Sequence, residues 1–429
     1  MTKKKKKANL QAQQKMYAAQ HKKQYMERLR AFCSIIGNGE SLFELLPDYM
    51  SNTIYDMRGV TLKFKIVKDA KITKRFVKIM YSHIEQEMKN KYIDLMIQGI
   101  NGQVNLVDYY QILLPLATVL LSPTSIFKGK EKFDNFCEKT DDRYVNYIKM
   151  TVNIIYNACY AYCDLSKRSL YTFTYESYQS SRGKNIYGPY YQIITLGTWL
   201  LDIRYVNIHG DRRPVIQTGE IRHNKNVSSL QPTTVPLKRL HVKDPSGSKK
   251  IPIYIQQHAV DRTIQRACYI MPGNVPSLIH KTFTNKNRII KEKDKYLVEC
   301  YDNDIKIGYF VGRLIDGIFV ILTFLLITHS STPEGRKLAE LTGLQKEDMA
   351  FLAIDDLKTL INSDIATNYQ IRKLFIDAGC ESILQMNCDL HRGDYEWLRD
   401  ETKLNSELSK LIAEYIQLGA NDEDYFENE

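Results

Sequence analysis

Residues 317–328, GIFVILTFLLIT, are the most apolar segment of the chain, and they begin with the second residue of the dipeptide Asp316-Gly317. An Asp-Gly pair between two hydrophobic segments is a strong signal for a β-hairpin. We predict that the second strand of this hairpin spans Ile318–His329. Both of its faces are apolar, so the strand must be covered on both sides. A dozen residues are also too few to cross a bilayer as a helix, and we predict no transmembrane segment.

Two further strands precede this one and make an antiparallel meander with it. Tyr296–Tyr301 and Lys306–Leu314 are rich in β-branched and aromatic residues, and Asp302-Asn303-Asp304 separates them as a turn. Period-two alternation assigns one face of the last strand to six residues: Phe319, Ile321, Thr323, Leu325, Ile327 and His329. Thr328 falls on the opposite face. Thr332 and Pro333 then fit the N-cap and first position of a helix.

Two helices precede the meander. The first reads HAVDRTIQR, and its spacing of four stacks His258, Arg262 and Arg266 along one helix face. Guanidinium groups donate in pairs to phosphate oxygens, and imidazole exchanges a proton near neutral pH. The alternative is a solvated helix face with an incidental histidine. Pro272 and Gly273 end this helix, and Asn274 can cap a second helix over Val275–Thr284.

This order of elements resembles the barnase, EndoU, colicin and RelE group of ribonucleases, especially its short toxin-like members. Their first helix carries an H-A-x-x-R-x-x-x-R pattern, which here is His258, Ala259, Arg262 and Arg266. Thr323, Thr328 and His329 stand on the last strand. The resemblance covers residues 251–343, less than a quarter of the chain, and does not supply a complete catalytic set.

The resemblance implies a metal-independent, cofactor-free endoribonuclease of toxin or anti-phage defence type. In such a reaction a base activates a ribose 2′-hydroxyl, an acid protonates the leaving 5′-oxygen, and cations stabilise the phosphate. We expect His258 and His329 as the acid and base, in either order, and Arg262 and Arg266 as the phosphate-stabilising cations. Thr328 or Ser330 would orient the phosphate by a hydrogen bond. Lys306 and Arg313 would bind flanking phosphates, or they belong to a solvated strand face.

The rest of the chain surrounds this nuclease-type domain, and the overall class predicted is α+β. We expect five regions: a basic arm at 1–30, a helical domain at 31–165, a β-rich region with a linker at 166–250, the RelE- or barnase-like domain at 251–343, and helices with an acidic tail at 344–429. Helices are predicted over Thr73–Ile97, Val107–Leu121, Arg143–Tyr162, Asp348–Leu360, Tyr369–Ala378 and Tyr395–Leu418. Strands are predicted over Leu170–Tyr178, Tyr190–Asn207 and Val215–Ile221, and Leu230–Lys250 has the composition of a linker.

Charge favours a polyanionic partner, since the chain carries a formal net charge of +11. The arm at 1–30 holds the lysine run Lys3–Lys7 and a single acid, Glu27. It is typical of a segment that stays disordered or frayed until it meets phosphate, or of a solubilising tail. Basic side chains between the predicted strands are further candidates for RNA contact: Arg204, His209, Arg212, Arg213, Arg222 and His223. The expected partners are RNA, including tRNA or the ribosome, and an inhibitor or antitoxin protein. The residues outside 251–343 could recognise a target or a trigger, restrain the active site in cis, or mediate oligomerisation.

Two other classes stay open. A nonenzymatic RNA-, DNA- or ribosome-binding protein would need only the row of arginines. A metal-dependent nuclease would need a carboxylate cluster, for which Glu299, Asp302, Asp304 and Asp316 are the nearest group, mainly in turns. Asp261 and Glu334 could orient a histidine or pair with an arginine. Eight dispersed cysteines without a CxxC pair favour buried thiols in a reducing, cytoplasmic setting.

Overall fold

The computed structural model describes residues 3–58, 62–68, 70–95, 102–122, 125–133, 136, 140–163, 169–179, 190–224, 227–285, 287–302, 304–389 and 407–416. They form an α+β chain with N-terminal helices and a central sheet. The chain divides into two compact units. Unit 1 comprises Met1–Cys159 and Thr172–Thr198, and unit 2 comprises Tyr160–Tyr171 and Trp199–Glu429.

Unit 1 is mainly helical. Its helices are α1 (Lys3–Ile36), α2 (Asp48–Met57), α3 (Lys74–Asn90), α4 and α5 (Thr140–Ala161), where α4 joins an α segment Leu106–Asp108, a π segment Tyr109–Leu113 and an α segment Leu114–Leu121. Short 3₁₀ turns lie at Leu42–Leu45 and Lys130–Phe133. The strands are β1 (Leu62–Ile66), β2 (Tyr92–Asp94), β3 (Gln103–Asn105), β4 (Ser169–Gln179) and β5 (Tyr190–Leu200). They pair in the order β1-β5-β4, with β2-β3 as a separate ribbon.

A proline explains one contact inside unit 1. Pro115 has no N–H for the carbonyl of Gln111, four residues earlier in α4. The hydroxyl of Tyr25, which is 1% exposed, donates to that carbonyl at 2.6 Å instead. The contact fixes α1 against α4.

Unit 2 is organised around a mixed sheet in the order β12-β13-β14-β15-β11-β7-β6, with β10 also paired to β11. Its strands are β6 (Ile203–Ile208), β7 (Asp211–Gln217), β10 (Thr234–Pro236), β11 (Lys250–Ile255), β12 (Ile289–Glu292), β13 (Lys295–Asp302), β14 (Ile305–Ile315) and β15 (Ile318–Leu326). Two more strands, β8 (Gly219–Asn224) and β9 (Val227–Pro232), form a separate ribbon. Strand β11 runs parallel to β15 and antiparallel to β7.

Helices cover this sheet. They are α6 (Gln257–Arg266), α7 (Val275–Thr284), α8 (Pro333–Thr342), α9 (Lys346–Phe351), α10 (Leu357–Ile361), α11 (Tyr369–Asp377) and α12 (Glu381–Asp389), with a further helical segment at 408–416. Single 3₁₀ turns lie at Leu237–Leu240 and Pro272–Asn274. One continuous core joins Ile253 and Ile255 of β11, Phe319 and Ile321 of β15 and the apolar sides of the helices.

The hairpin at Asp316-Gly317 is confirmed. Both residues have positive φ angles, 48° and 76°, as a tight two-residue turn requires. The predicted bounds of α7, and Thr332 as the N-cap of α8, are also confirmed: the Thr332 hydroxyl accepts from the Gly335 amide at 2.9 Å. Asn274 makes no side-chain cap hydrogen bond to α7.

The predicted face of the last strand is wrong in its second half. Thr323 pairs with Val311, whereas Ile321 pairs with the next residue, Gly312, so Leu322 is an extra residue on β15. A bulge of this kind reverses the alternation. Phe324 and Leu326 therefore join the core on the side of Phe319, and Leu325 faces the opposite way.

Several predicted boundaries also differ. The strand expected over Tyr190–Asn207 is broken between β5 and β6, and Val215–Ile221 is divided between β7 and β8. The expected helix Asp348–Leu360 is two helices, α9 and α10, and Thr73–Ile97 ends at Asn90. Most of Tyr395–Leu418 and the acidic tail lie outside the described residues.

Two predicted regions have more structure than expected. The segment Leu230–Lys250, predicted as a linker, contains part of β9, all of β10 and a 3₁₀ turn, so the boundary expected at residue 250 falls inside one sheet. The basic arm is helical from Lys3 onward, as part of α1.

Candidate functional site

Helix α6 starts at the sheet because the Gln256 amide donates to the carbonyl of Ile321 at 3.0 Å. Ala259, Val260 and Thr263 are buried on one side of the helix. The row predicted from the sequence lies on the other side, where His258 is exposed and Arg262 and Arg266 are partly buried. The helix thus lies beside β15 and directs its two arginines away from the core.

Arg266 joins three elements. Its Nη1 donates to the carbonyl of Phe324 at 2.7 Å, and its Nη2 lies 3.4 Å from a carboxylate oxygen of Asp355. Its side chain is 14% exposed. Burial lowers the pKa of the Arg266 guanidinium, and Asp355 opposes that effect. Arg266 therefore holds the end of α6 to β15 and to the loop between α9 and α10.

His329 lies beside this arginine. Strand β15 ends at Leu326, so Thr328 and His329 stand in the turn that follows it and not on the strand. The Ser331 amide donates to Nδ1 of His329 at 3.1 Å, which places the ring proton on Nε2. Burial, reinforced by the positive charge of Arg266, lowers the pKa of His329 to about 4. The imidazole is therefore neutral at pH 7.

The structure brings Arg262, Arg266 and His329 together, and we call these three residues the α6–β15 cluster. Besides burial, the positive charge of Arg266 and, more weakly, that of Arg262 lower the pKa of His329, while Asp355 opposes them. Arg262 also donates to Oε1 of Gln265, on the same helix, at 2.7 Å. Ser330, partly exposed, follows His329 directly.

His258 and Thr328 are placed differently. His258 is eight residues before Arg266, which corresponds to about 12 Å along the helix axis. It therefore lies at the opposite end of α6 from the residue that neighbours His329. Thr328 is fully buried, and its hydroxyl donates to the Ile354 carbonyl at 2.5 Å. That hydroxyl supports the loop before α10 and does not face solvent.

Lys306 is held in a partly buried network. Its Nζ lies 2.6 Å from Glu299, 2.7 Å from Glu334 and 2.7 Å from the hydroxyl of Tyr309. Burial acts to lower the pKa of Lys306, but these hydrogen bonds outweigh it and raise the pKa. Since two carboxylates already neutralise this ammonium group, we leave Lys306 out of the site. The same contacts engage Glu299 and Glu334, two of the carboxylates considered above for a metal or a histidine.

Arg313 pairs with Asp294 at 3.0 Å, near the turn between β12 and β13. Asp261 accepts a hydrogen bond from the side chain of Gln257, on its own helix, at 2.9 Å. This hydrogen bond does not orient His258 or His329. Among the residues that the structure describes, no group of three or more His, Cys, Asp and Glu side chains is arranged to hold a metal ion.

The exposed arginines of β7 lie at the sheet end where α6 begins. Ile255 pairs with Ile216, so the part of β7 before Ile216 runs beyond the end of β11. Arg212 lies over the ring of Tyr205, 5.3 Å from its centre, and Arg213 pairs with Asp211 at 2.8 Å. The hairpin β6–β7 therefore carries Arg212 and the exposed Tyr205 beyond the end of β11. The backbone of Arg222 and His223 lies in β8; their side chains are outside the described residues.

Sequence reasoning missed Asp355, the partner of Arg266. Its neighbour Asp356 is the N-cap of α10 and accepts from the Lys358 amide at 2.8 Å. An aspartate before a helix is a recognisable cap, but the distance between Asp355 and α6 depends on tertiary packing.

Comparison with known proteins found no matching family model, no matching curated protein and no matching solved structure. None of the helices in the described part of the chain has the length and apolarity needed to cross a bilayer.

Proposed function

We propose that the chain is a metal-independent endoribonuclease that binds RNA at the α6–β15 cluster. The observation that carries the proposal is the convergence of two guanidinium groups and a neutral imidazole at the end of a buried strand. Two helices followed by the antiparallel strands β12 to β15 also agree with the resemblance to the barnase, EndoU, colicin and RelE group.

Arg262 is the residue best placed to take a phosphate. Among the described residues, its side chain hydrogen-bonds to Gln265 on the same helix, which uses one of its five N–H donors. Arg266 adds positive charge, although two of its donors are already engaged. A bound phosphate would offset both charges, which now depress the pKa of His329, and would raise that pKa toward neutrality.

We assign proton transfer to His329. In its neutral form the basic nitrogen is Nδ1, because Nε2 carries the ring proton. Nδ1 exchanges its hydrogen bond from the Ser331 amide for the 2′-hydroxyl and takes its proton, and the hydroxyl oxygen then attacks the adjacent phosphorus. The resulting imidazolium returns the proton to the 5′-oxygen as the P–O5′ bond breaks. The products are a 2′,3′-cyclic phosphate and a 5′-hydroxyl. His258, at the far end of α6, and the arginines Arg212 and Arg213 would contact flanking phosphates.

A second candidate is an RNA-binding protein that does not cleave. The observation that favours it is the distance of about 12 Å along the helix axis between His258 and Arg266, the residue that neighbours His329. Cleavage with two histidines needs both near one phosphate, whereas binding needs only the cations.

Cleavage of total RNA in the presence of a chelator tests the proposal. We compare the full chain with His329→Gln, Arg262→Met and, as a control that also removes one positive charge, Lys281→Met at an exposed position of α7. We expect loss of cleavage by about 10²-fold or more in His329→Gln, about tenfold in Arg262→Met and no change in Lys281→Met.

The alternatives give different results. RNA that stays intact but binds with an affinity that falls with salt, and is weakened by Arg262→Met, supports the binding protein. Cleavage that the chelator abolishes overturns the metal-independent mechanism. RNA that neither binds nor is cleaved overturns both candidates.

A further inference from the structure

Unit 2 contains a cavity of about 300 Å³ between the segment Gln231–Pro236, the 3₁₀ turn Leu237–Leu240, the start of β11 and α7. Pro232, Pro236 and Phe283 give it apolar walls. Arg239, Lys250 and His280 supply its nitrogen-bearing side chains. No Asp or Glu belongs to its described lining.

Arg239 is a partly buried cation without an acidic partner among the residues that the structure describes. Its Nη1 donates to the Phe283 carbonyl at 2.5 Å and its Nη2 to the Asn287 carbonyl at 2.7 Å. These contacts fix the guanidinium at the end of α7 but do not neutralise it. Burial lowers the pKa of Arg239, as expected for a cation without a counter-charge. Two of its five N–H donors are used, so three stay available.

Lys250 adds a second positive charge. It is exposed at the start of β11 and likewise has no ion pair with a described residue. Two cations facing one acid-free cavity repel each other unless an anion lies between them.

His280 closes the cavity from the side of α7. It is 4% exposed, its Nδ1 lies 3.1 Å from the Thr233 hydroxyl, and its Nε2 lies 3.4 Å from a carboxylate oxygen of Glu220. Both ring nitrogens are therefore engaged by protein groups. His280 acts as a fixed wall and leaves recognition of an anion to Arg239 and Lys250.

We propose that this cavity binds a small phosphate monoester, with the phosphate between Arg239 and Lys250 and a flat apolar group against Pro232, Pro236 and Phe283. A free inorganic anion would leave the apolar walls unused. A volume near 300 Å³ lies at the lower end of ligand pockets, which limits the ligand to one ring or a group of similar size. The site is separate from the α6–β15 cluster and does not depend on the proposed ribonuclease function.

Isothermal titration of the full chain with phenyl phosphate tests this site, with phenol and inorganic phosphate as the two partial probes. We expect saturable binding of phenyl phosphate, weaker binding of inorganic phosphate and none of phenol. Lys250→Met should weaken the binding of phenyl phosphate about tenfold, because one charge-assisted hydrogen bond is lost. Lys249→Met, its exposed neighbour outside the cavity, is the matched control and should bind as the native chain does.

Arg239→Met should abolish binding, but it also removes two hydrogen bonds at the end of α7, so Lys250→Met is the deciding variant. No binding of phenyl phosphate at concentrations up to about 10 mM overturns the proposal. Equal affinity in Lys250→Met and Lys249→Met does so too, and phenol binding as tightly as phenyl phosphate would identify an apolar cavity only. RNA cleavage is measured on the same variants, so failure of one proposal is distinguished from failure of the other.

Discussion

At the scale of single residues, Lys306 and Arg262 differ in whether their positive charge is already paired with carboxylates. Lys306 is 14% exposed and binds two carboxylates. Removing one member of such a set would leave the others buried without a partner, at a cost of several kcal/mol. Within the described part of the chain, the hydrogen bond of the Arg262 side chain is to Gln265 on its own helix, and no ion pair with a carboxylate is found. Arg262 on α6 is therefore available to bind a substrate phosphate, whereas the ammonium group of Lys306 on β14 is not.

His329 makes the stability of the fold depend on pH. Its folded-state pKa is about 4, below the ordinary value of 6.5. Between these values the unfolded chain binds a proton that the folded chain does not, so stability falls as the pH falls from about 6.5 to 4. After allowance for solvent screening of a partly exposed ring, we expect a loss on the order of 1–2 kcal/mol.

Urea unfolding at a series of pH values measures this effect. His329→Gln should remove this part of the pH dependence, while Ser330→Ala, which keeps the imidazole, should retain it. The same slope in His329→Gln and the native chain would show that other groups cause the acid sensitivity.

At the scale of elements, the turn between β15 and α8 positions His329. The Thr332 hydroxyl donates to the Ile327 carbonyl at 2.5 Å and accepts from the Gly335 amide. Helix α8 lies so close to the turn that a Cβ added at Gly335 would be 1.9 Å from the His329 carbonyl oxygen. Only glycine allows this approach.

Gly335→Ala should therefore push α8 away from the turn and destabilise unit 2 by about 2 kcal/mol or more. Chemical denaturation measures the change, and Lys337→Ala, exposed on the same helix, should have little effect. If the two variants are equally stable, the turn and helix are not held as closely as the structure shows.

Local signals were enough for some elements and not for others. Asp316-Gly317, α7 and the Thr332 cap depend on neighbouring residues, and each was predicted from the sequence. The bulge at Leu322 and the pairing of β11 with β15 depend on residues that are distant along the chain. The row His258, Arg262 and Arg266 was predictable from helix spacing, but which histidine lies beside which arginine was not.

At the scale of the whole molecule, the positive charge is concentrated at the start of unit 1. The first 20 residues contain six lysines and no acid. Side chains are exposed from residue 12 to residue 24, and the buried positions of α1 begin at Tyr25. This part of α1 contributes charge and little packing.

Deletion of residues 1–20 should weaken RNA binding without lowering the melting temperature. If all six lysines meet phosphates of single-stranded RNA, the slope of log affinity against log salt should become shallower by about 4. Binding measured at several salt concentrations tests this, with the five residues Lys3–Lys7 replaced by glutamine as a control that keeps the chain length. An unchanged slope would assign the helix a role other than RNA contact.

The position of β11 in the sheet has a consequence for the order of assembly during synthesis. Its neighbour β7 is translated before it, whereas its parallel partner β15 ends only at Leu326. Translation adds about 5–20 residues per second, so the open edge of β11 waits several seconds for the strand that covers it. Unpaired strand edges are sites of association between chains. The growing chain can therefore mispair until the ribosome has synthesised β15. Until then Arg266 also lacks the Phe324 carbonyl to which it donates in the folded chain.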